Sequence, residues 1–362
     1  MIDAGAIVDE SRFTEGGRAR SRIFKPPARI LQGAIREFLD GDYTMRLNRL
    51  GVIVLTSTLA ATAFVPSWIA ESNAQDGQSS IRVQVNLVNL FATVRDKKTK
   101  RIVSSLEQND FKILEDNVEQ KISFFSREST LPITLGLLID TSGSEQFTLP
   151  AEQEAGTRFL ATVLRKNDLA MVMSFDSNAD LLADFTDDRN VLDRAINRAR
   201  INAPVSQGPI ATAPPGTVFY DALYLACHEK LAEEAGRKAL VILTDAEDEG
   251  SRLHIQDAIE AAQRTDTVVH ILLIGDPQNF TVNESAAKKI TDETGGRTIV
   301  VRSEKKLEEA FQEISEELRS QYTLGYYSSN SARDGTYRKL RVDASQKDLD
   351  VLTRRGYYAP KN

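Results

Sequence analysis

Three oxygen-bearing side chains, Asp140, Ser142 and Ser144, occupy alternate positions in the stretch LLIDTSGS. On a turning loop that spacing lets all three face one point. Two further hard-oxygen groups stand in similar settings: Thr217 after PPG, and Asp245 after ALVILT. Together the five supply two carboxylates and three hydroxyls, with neither His nor Cys. Such donors suit Mg2+ or Mn2+ rather than Zn2+ or Cu2+. Because hydroxyls are neutral ligands, an ion held by them stays electrophilic and can take a carboxylate from outside as its last ligand. Each part also has a plain local explanation. Asp and Ser are favoured at turns and helix N-caps, and Asp245 suits a cap before a helix over 253–265.

The elements that must position these residues are legible as patterns. Residues 133–139, ITLGLLI, form an unbroken apolar run, as do 169–175, 239–243 and 268–274. Such runs fit strands buried on both faces of a parallel sheet. Helical patterns lie between them at 146–165, 188–200, 219–235, 253–265, 284–294 and 304–320, and Gly295-Gly296 stops a helix before a strand at 297–301. Alternating strand and helix predicts an α/β fold, a doubly wound, mostly parallel sheet over 129–320. Ligands in such sheets bind at the carboxyl ends of strands. There 133–139 runs into Asp140 and 239–243 into Thr244-Asp245, while Thr217 precedes helix 219–235.

The flanks read differently. Residues 81–95 alternate with period two, placing Val83, Val85 and Leu87 on one face. Residues 111–125 read as two short strands around a turn at Glu115-Asp116-Asn117. After the α/β block, 321–329, 337–345 and 349–358 return to strand character. The N-terminal β segment, 81–128, and the C-terminal one, 321–362, are expected to pack into a single β-sandwich-like domain.

Other functions find less support. The net charge is −7, which argues against a nucleic-acid partner, since phosphate binding wants a basic face. Catalytic residues are not identified. A Mg2+-dependent phosphohydrolase would carry a second Asp two residues after the first, and Ser142 stands there. A serine hydrolase would need G-x-S-x-G, and Thr141-Ser142-Gly143 lacks the first glycine. No Gly-rich turn of the dinucleotide type follows the first strand. His228, His254 and His270 show no metal-ligand spacing, and Cys227 reads as a small core residue. Glu247, Asp248 and Glu249 extend an acidic rim beside Asp245 and read best as a solvated loop. The pairs Tyr326-Tyr327 and Tyr357-Tyr358 suit strand packing.

LLIDTSGS, then PPGTVFYDAL, then ALVILTDAEDEGS, together resemble the metal-ion-dependent adhesion site of von Willebrand factor A domains. VMSFDSNADLLADFTDDRNVLDRAI is similar to the same family. The resemblance spans about 129–320 and implies a Rossmann-like fold. In it the Ser142, Ser144 and Thr217 hydroxyls contact the metal while Asp140 and Asp245 act largely through water. It also implies a binding module whose protein partner offers an acidic side chain. The flanking FKILEDNVEQKISFF and RRGYYAP resemble an exported group of such proteins found in acidobacteria, a likeness that implies architecture and not activity. The Pro-rich loop 201–216, INAPVSQGPIATAPPG, departs from the family pattern and is expected on the metal face. The alternatives are a Mg2+-dependent hydrolase, or a structural envelope protein in which the metal is intramolecular glue.

Residues 50–70, LGVIVLTSTLAATAFVPSWIA, carry no charge and follow Arg46 and Arg49. With the small-x-small site Ser72-Asn73-Ala74, residues 45–74 read as a signal peptide starting at Met45, and 1–44 as no part of the mature protein. The rival is a single-pass membrane anchor. Either reading places the rest outside the cytoplasm, in the periplasm, in the cell envelope or secreted. N-terminal sequencing of the mature protein is expected to begin at or near Gln75; a chain that retains 50–70 establishes the anchor.

Overall fold

The computed structural model describes residues 87–127, 131–201, 216–275 and 281–361. The expected leader and apolar run, and all but the ends of loop 201–216, lie outside these residues. Among the described residues no helix is long and apolar enough to cross a membrane.

The chain begins with β1 (Leu87–Asp96), β2 (Phe111–Glu115), β3 (Val118–Gln120) and β4 (Ile122–Ser126). The α/β block follows: β5 (Ile133–Asp140), α1 (Leu149–Val163), β6 (Leu169–Phe175), β7 (Ala179–Thr186), α2 (Arg189–Ile196), α3 (Phe219–Leu225) and β8 (Arg237–Thr244). It continues through α4 (Ile255–Arg264), β9 (Thr267–Leu273), α5 (Glu284–Thr294), β10 (Thr298–Val300) and α6 (Glu304–Arg319). Then come β11 (Tyr322–Tyr327), β12 (Tyr337–Ala344), β13 (Leu349–Leu352) and β14 (Gly356–Tyr358).

The block forms one six-stranded sheet in the order β10-β9-β8-β5-β6-β7. Every pairing is parallel except β6 with β7. All eight residues of β5 are buried, as the unbroken apolar run requires. Alternation along the strands divides the core. Leu135, Leu137 and Ile139 pack with α1, α2 and α6, while Leu138, Leu240 and Ile242 pack with α3, α4 and α5. From β5 the chain winds outward through β6, then returns to build β8, β9 and β10 on the other side. The direction therefore switches between β5 and β8, the crevice where such sheets bind ligands.

The expected helix 219–235 is two geometries: α3 widens into π-type turns over Ala226–Leu231. Cys227 is buried there, as expected of a core residue, and burial pushes its thiol up to about 12. Gly295 caps α5 with a φ of 85°, the left-handed conformation that glycine adopts without a Cβ penalty.

Both flanks build one sandwich. One sheet runs β13-β1-β11-β4 and the other β14-β12-β2-β3, and their facing side chains share a core around Leu90, Ile113, Tyr322 and Leu340. The details differ from the sequence pattern in three ways. First, Leu87 is 48 % exposed, whereas Val88, Leu90, Ala92 and Val94 are buried. The apolar pattern changes phase at Leu87-Val88, and a one-residue shift exchanges the faces of a strand. Second, the turn at Asp116-Asn117 is present, with φ of 47° and 68°, but the strand after it breaks at Lys121. β3 stays with β2, and β4 crosses to β11 in the other sheet. Third, 349–358 divides likewise into β13, paired with β1, and β14, paired with β12.

Buried acids here meet arginines. Glu115 lies 3.4 Å from Arg338 and accepts hydrogen bonds from Tyr326 and Tyr357 at 2.6 and 2.9 Å, the packing role expected of those tyrosines. Arg95 of β1 donates to Glu317 of α6 at 2.8 Å, which ties the sandwich to the α/β block. Asp168 joins three segments. It accepts from the Ile133 amide at the start of β5, from the Arg165 amide and from the Arg319 guanidinium of α6. Burial alone would raise its pKa; these donors outweigh burial and hold it below the ordinary value. Asp168→Ala is expected to cost about 3 kcal/mol in urea unfolding, because it leaves buried donors and a cation without their acceptor. A loss under about 0.5 kcal/mol would show that the bonds are replaced by water.

Candidate functional site

β5 delivers Asp140 to the rim fully buried. Its two oxygens are both used. Oδ1 accepts from the Ser142 amide at 2.9 Å, and Oδ2 accepts from the Thr244 hydroxyl at 2.6 Å. Thr244 ends β8, so this bond joins the two strands that flank the switch point. The Thr244 hydroxyl in turn accepts from the Ala246 amide at 2.9 Å, and Ala246 holds a φ of 60°. A positive φ on a non-glycine residue is uncommon, and here it turns the chain sharply after Asp245.

The Ser142 and Ser144 hydroxyl oxygens lie 2.9 Å apart, and the Ser144 hydroxyl lies beside the Asp245 carboxyl, whose pKa it lowers. Asp245 accepts from the Glu247 amide at 3.0 Å, and its carbonyl from the Asn283 amide at 2.7 Å. Asp140, Ser142 and Ser144 are thus hydrogen-bonded in one group, with Asp245 beside them. Thr217 reaches the same rim through its backbone. Its carbonyl accepts from the Glu249 and Gly250 amides at 3.1 and 3.2 Å, and the next residue, Val218, donates to Asp176 at the end of β6 at 2.7 Å. The Thr217 side chain is buried.

Charge at this site is unbalanced. Burial, then the neighbouring carboxylate of Asp245, pushes the Asp140 carboxyl up to about 8. Asp245 is raised as well, first by burial. Both shifts describe buried acids with no positive charge among their causes, and a divalent cation nearby would oppose each. The donor chemistry, hydroxyls and carboxylates at one rim, fits a hard cation. Among the described residues no group of three or more His, Cys, Asp or Glu side chains is arranged to hold a metal.

The remaining candidates separate clearly. Asp248 accepts from the Tyr220 amide at 3.1 Å and the Ser251 hydroxyl at 2.5 Å, so it anchors α3. Glu247 is half-buried and stays at the rim. His228 is exposed and stacks on Tyr224, His254 is the N-cap of α4, and His270 is buried in β9. Thr244 and Asp176 were not singled out by spacing. A threonine directly before Asp245 and an Asp directly after β6 are the signals that mark them.

Residues 135–248 match the family model for the von Willebrand factor type A domain. No curated protein matches the chain significantly. Solved structures similar to it include the conserved hypothetical protein BatB from Bacteroides thetaiotaomicron, 18 % identical over 52 % of this chain and all of that one, with a TM-score of 0.42. A von Willebrand factor type A protein from Catenulispora acidiphila is 14 % identical over 71 % of this chain and 76 % of its own, TM-score 0.42. The vWF domain of the type V pili tip protein Mfa5 from Porphyromonas gingivalis is 15 % identical over 52 % and 96 %, TM-score 0.40.

The Asp140 shift sets a pH dependence. A carboxyl raised from 3.8 to about 8 in the folded state contributes fully below about pH 4, and that contribution is lost as pH rises toward 8. In EDTA, the melting temperature is expected to fall by several degrees between pH 5 and pH 8, and Asp140→Asn to flatten that fall. A metal-free melting curve independent of pH across this range contradicts the assignment.

Proposed function

For a chain that carries a von Willebrand factor type A domain at 135–248, we propose the function of an exported, divalent-metal-dependent protein-binding module. The hydroxyls of Ser142, Ser144 and Thr217, with the carboxylates of Asp140 and Asp245, would hold Mg2+ or Mn2+. When bound, the ion supplies an electrophilic position for an acidic side chain of a protein partner. The observation that supports this reading is the hydrogen-bonded group Thr244–Asp140–Ser142–Ser144, with Asp245 beside it, at the switch point of the sheet.

The residues divide the work. Asp140, anchored by Thr244 and the Ser142 amide, fixes the loop so that both serine hydroxyls meet. Asp245 stands beside Ser144. Thr217 approaches from a third segment, held by the loop after β8. Since the hydroxyls carry no charge, much of the ion's field remains for the partner. Against the hydrolase alternative, Ser142 stands where a second acid would be needed, and each described histidine lies elsewhere in the fold.

A pull-down from envelope fractions is expected to capture a partner in Mg2+ and lose it in EDTA. Asp140→Ala is expected to lose capture while its circular dichroism stays unchanged. Capture by Asp140→Ala equal to wild type in Mg2+ overturns the reading. A large Mg2+-dependent rise in melting temperature with no captured partner supports the envelope-glue alternative instead.

A further inference from the structure

His270 stands apart from the other two histidines. His228 and His254 are exposed, whereas His270 is 2 % exposed in the middle of β9, within TVVHILL. Neither nitrogen of its ring makes a hydrogen bond. A neutral imidazole carries one N–H and one acceptor nitrogen, so a donor is buried here without a partner, a cost that an apolar residue avoids.

The surroundings of the ring are charged on one side. His270 shares its strand face with Leu272 and Ile274, which pack with α6, and Val241 of β8 stands beside it in the sheet. The charge that reaches it is Glu317 of α6, whose Oε2 lies 4.0 Å from Nδ1. Glu317 is also the centre of the joint between the sandwich and the α/β block. It meets Arg95 of β1 at 2.8 Å and Arg297, just before β10, at 2.7 Å. Glu313, one turn earlier on α6, meets Arg297 at 2.8 Å and Arg95 at 3.6 Å, and Lys306 reaches Glu313 at 3.6 Å. Two arginines are thus matched by two glutamates, with Lys306 as a further cation. A proton on the ring would add a cation to a set that has no spare anion. Burial holds the His270 pKa below its ordinary value, and Glu317 opposes that shift only in part.

We propose that His270 is an acid-sensitive release built into the joint between the sandwich and the α/β block. While the ring is neutral, Arg95 holds β1 to α6 through Glu317. Once protonated, the imidazolium competes with Arg95 and Arg297 for Glu317, and the grip of β1 on α6 loosens. Histidine suits this task because it changes charge near neutral pH with little change of shape. The inference does not depend on what the serine group binds.

Urea unfolding of wild type and His270→Leu in EDTA, at pH 7.5 and pH 5.5, tests it. A histidine whose pKa is lowered by folding contributes fully above its unfolded value, 6.5, and that contribution is lost as pH falls toward the folded value. Asp140 and Glu317, both raised, run the other way, and their contributions are common to the two chains. Between pH 7.5 and pH 5.5 the folding equilibrium constant of wild type is therefore expected to fall about tenfold further than that of His270→Leu, the factor for one pH unit below 6.5. A parallel pH dependence in the two chains overturns the proposal. Should His270→Leu not fold, hydrogen exchange of wild type carries the test. Over the same pH step, and after correction for intrinsic exchange, amides of β1 and of the C-terminal half of α6 are expected to lose about tenfold more protection than those of β5 and β8. A uniform change across these elements overturns the proposal.

Discussion

The structure around the rim depends on one costly placement, a carboxyl with no solvent exposure at the end of a central strand. Asp140 is costly there as a bare anion, because desolvation first, and then the neighbouring carboxylates, push its pKa up to about 8. Its neighbours answer that constraint. Thr244 donates from the adjacent strand and Ser142 donates from the loop, so each oxygen has a fixed partner. Those two bonds also locate everything else. One joins β5 to β8 across the switch point, and the other curls the chain so that Ser142 and Ser144 come into contact. Replacing Asp140 therefore removes a hinge of the geometry as well as a charge.

The distribution of arginines sharpens this contrast. In the sandwich and at its junction with the α/β block, a buried acid is matched by a guanidinium, which satisfies charge and hydrogen bonds together. At the rim the nearest charged groups to Asp140 and Glu152 are other acids. The same chain thus uses two solutions for buried carboxyls. Where the role is cohesion, an arginine is built in. At the strand ends the neighbouring charges are other acids, and they raise the Asp140 carboxyl further.

Much of this was legible in the residues. Unbroken apolar runs marked β5, β6, β8 and β9 because a strand covered by helices on both faces cannot afford polar positions. Asp-x-Ser-x-Ser was legible because it follows β5 without a gap. What escaped has physical causes. In β1 two phases of alternation meet at Leu87-Val88, and only the opposing sheet decides which one is buried. The breaks at Lys121 and between β13 and β14 pass strands from one sheet to the other, a choice made by long-range pairing that no local pattern records. The strand β7 was hidden for a related reason: it lies at the edge, half exposed, and its pairing with β6 is irregular. Thr244 was hidden by its position, since a residue inside an apolar strand reads as core until its hydroxyl is seen to reach across.

Glu145 and Glu152 show how the two levels complement each other. In sequence Glu152 is an ordinary acid in a first helical turn, where the helix dipole favours negative charge and solvent normally covers it. Only packing reveals that α1 carries it inward, to within reach of Glu145 and Asp140. The cause lies in the helix entry. The 3-10 turn Gly143–Glu145 and the Thr148 bonds to Glu145 rotate α1 so that Leu149, Glu152, Ala155 and Gly156 share its buried face. A carboxyl at a position that helical spacing reserves for an apolar residue is a conflict between local pattern and fold. Such conflicts persist where a ligand, a proton or an ion resolves them. The rim of this sheet holds two of them side by side, one at the end of β5 and one at the start of α1, joined by the loop that carries both serines.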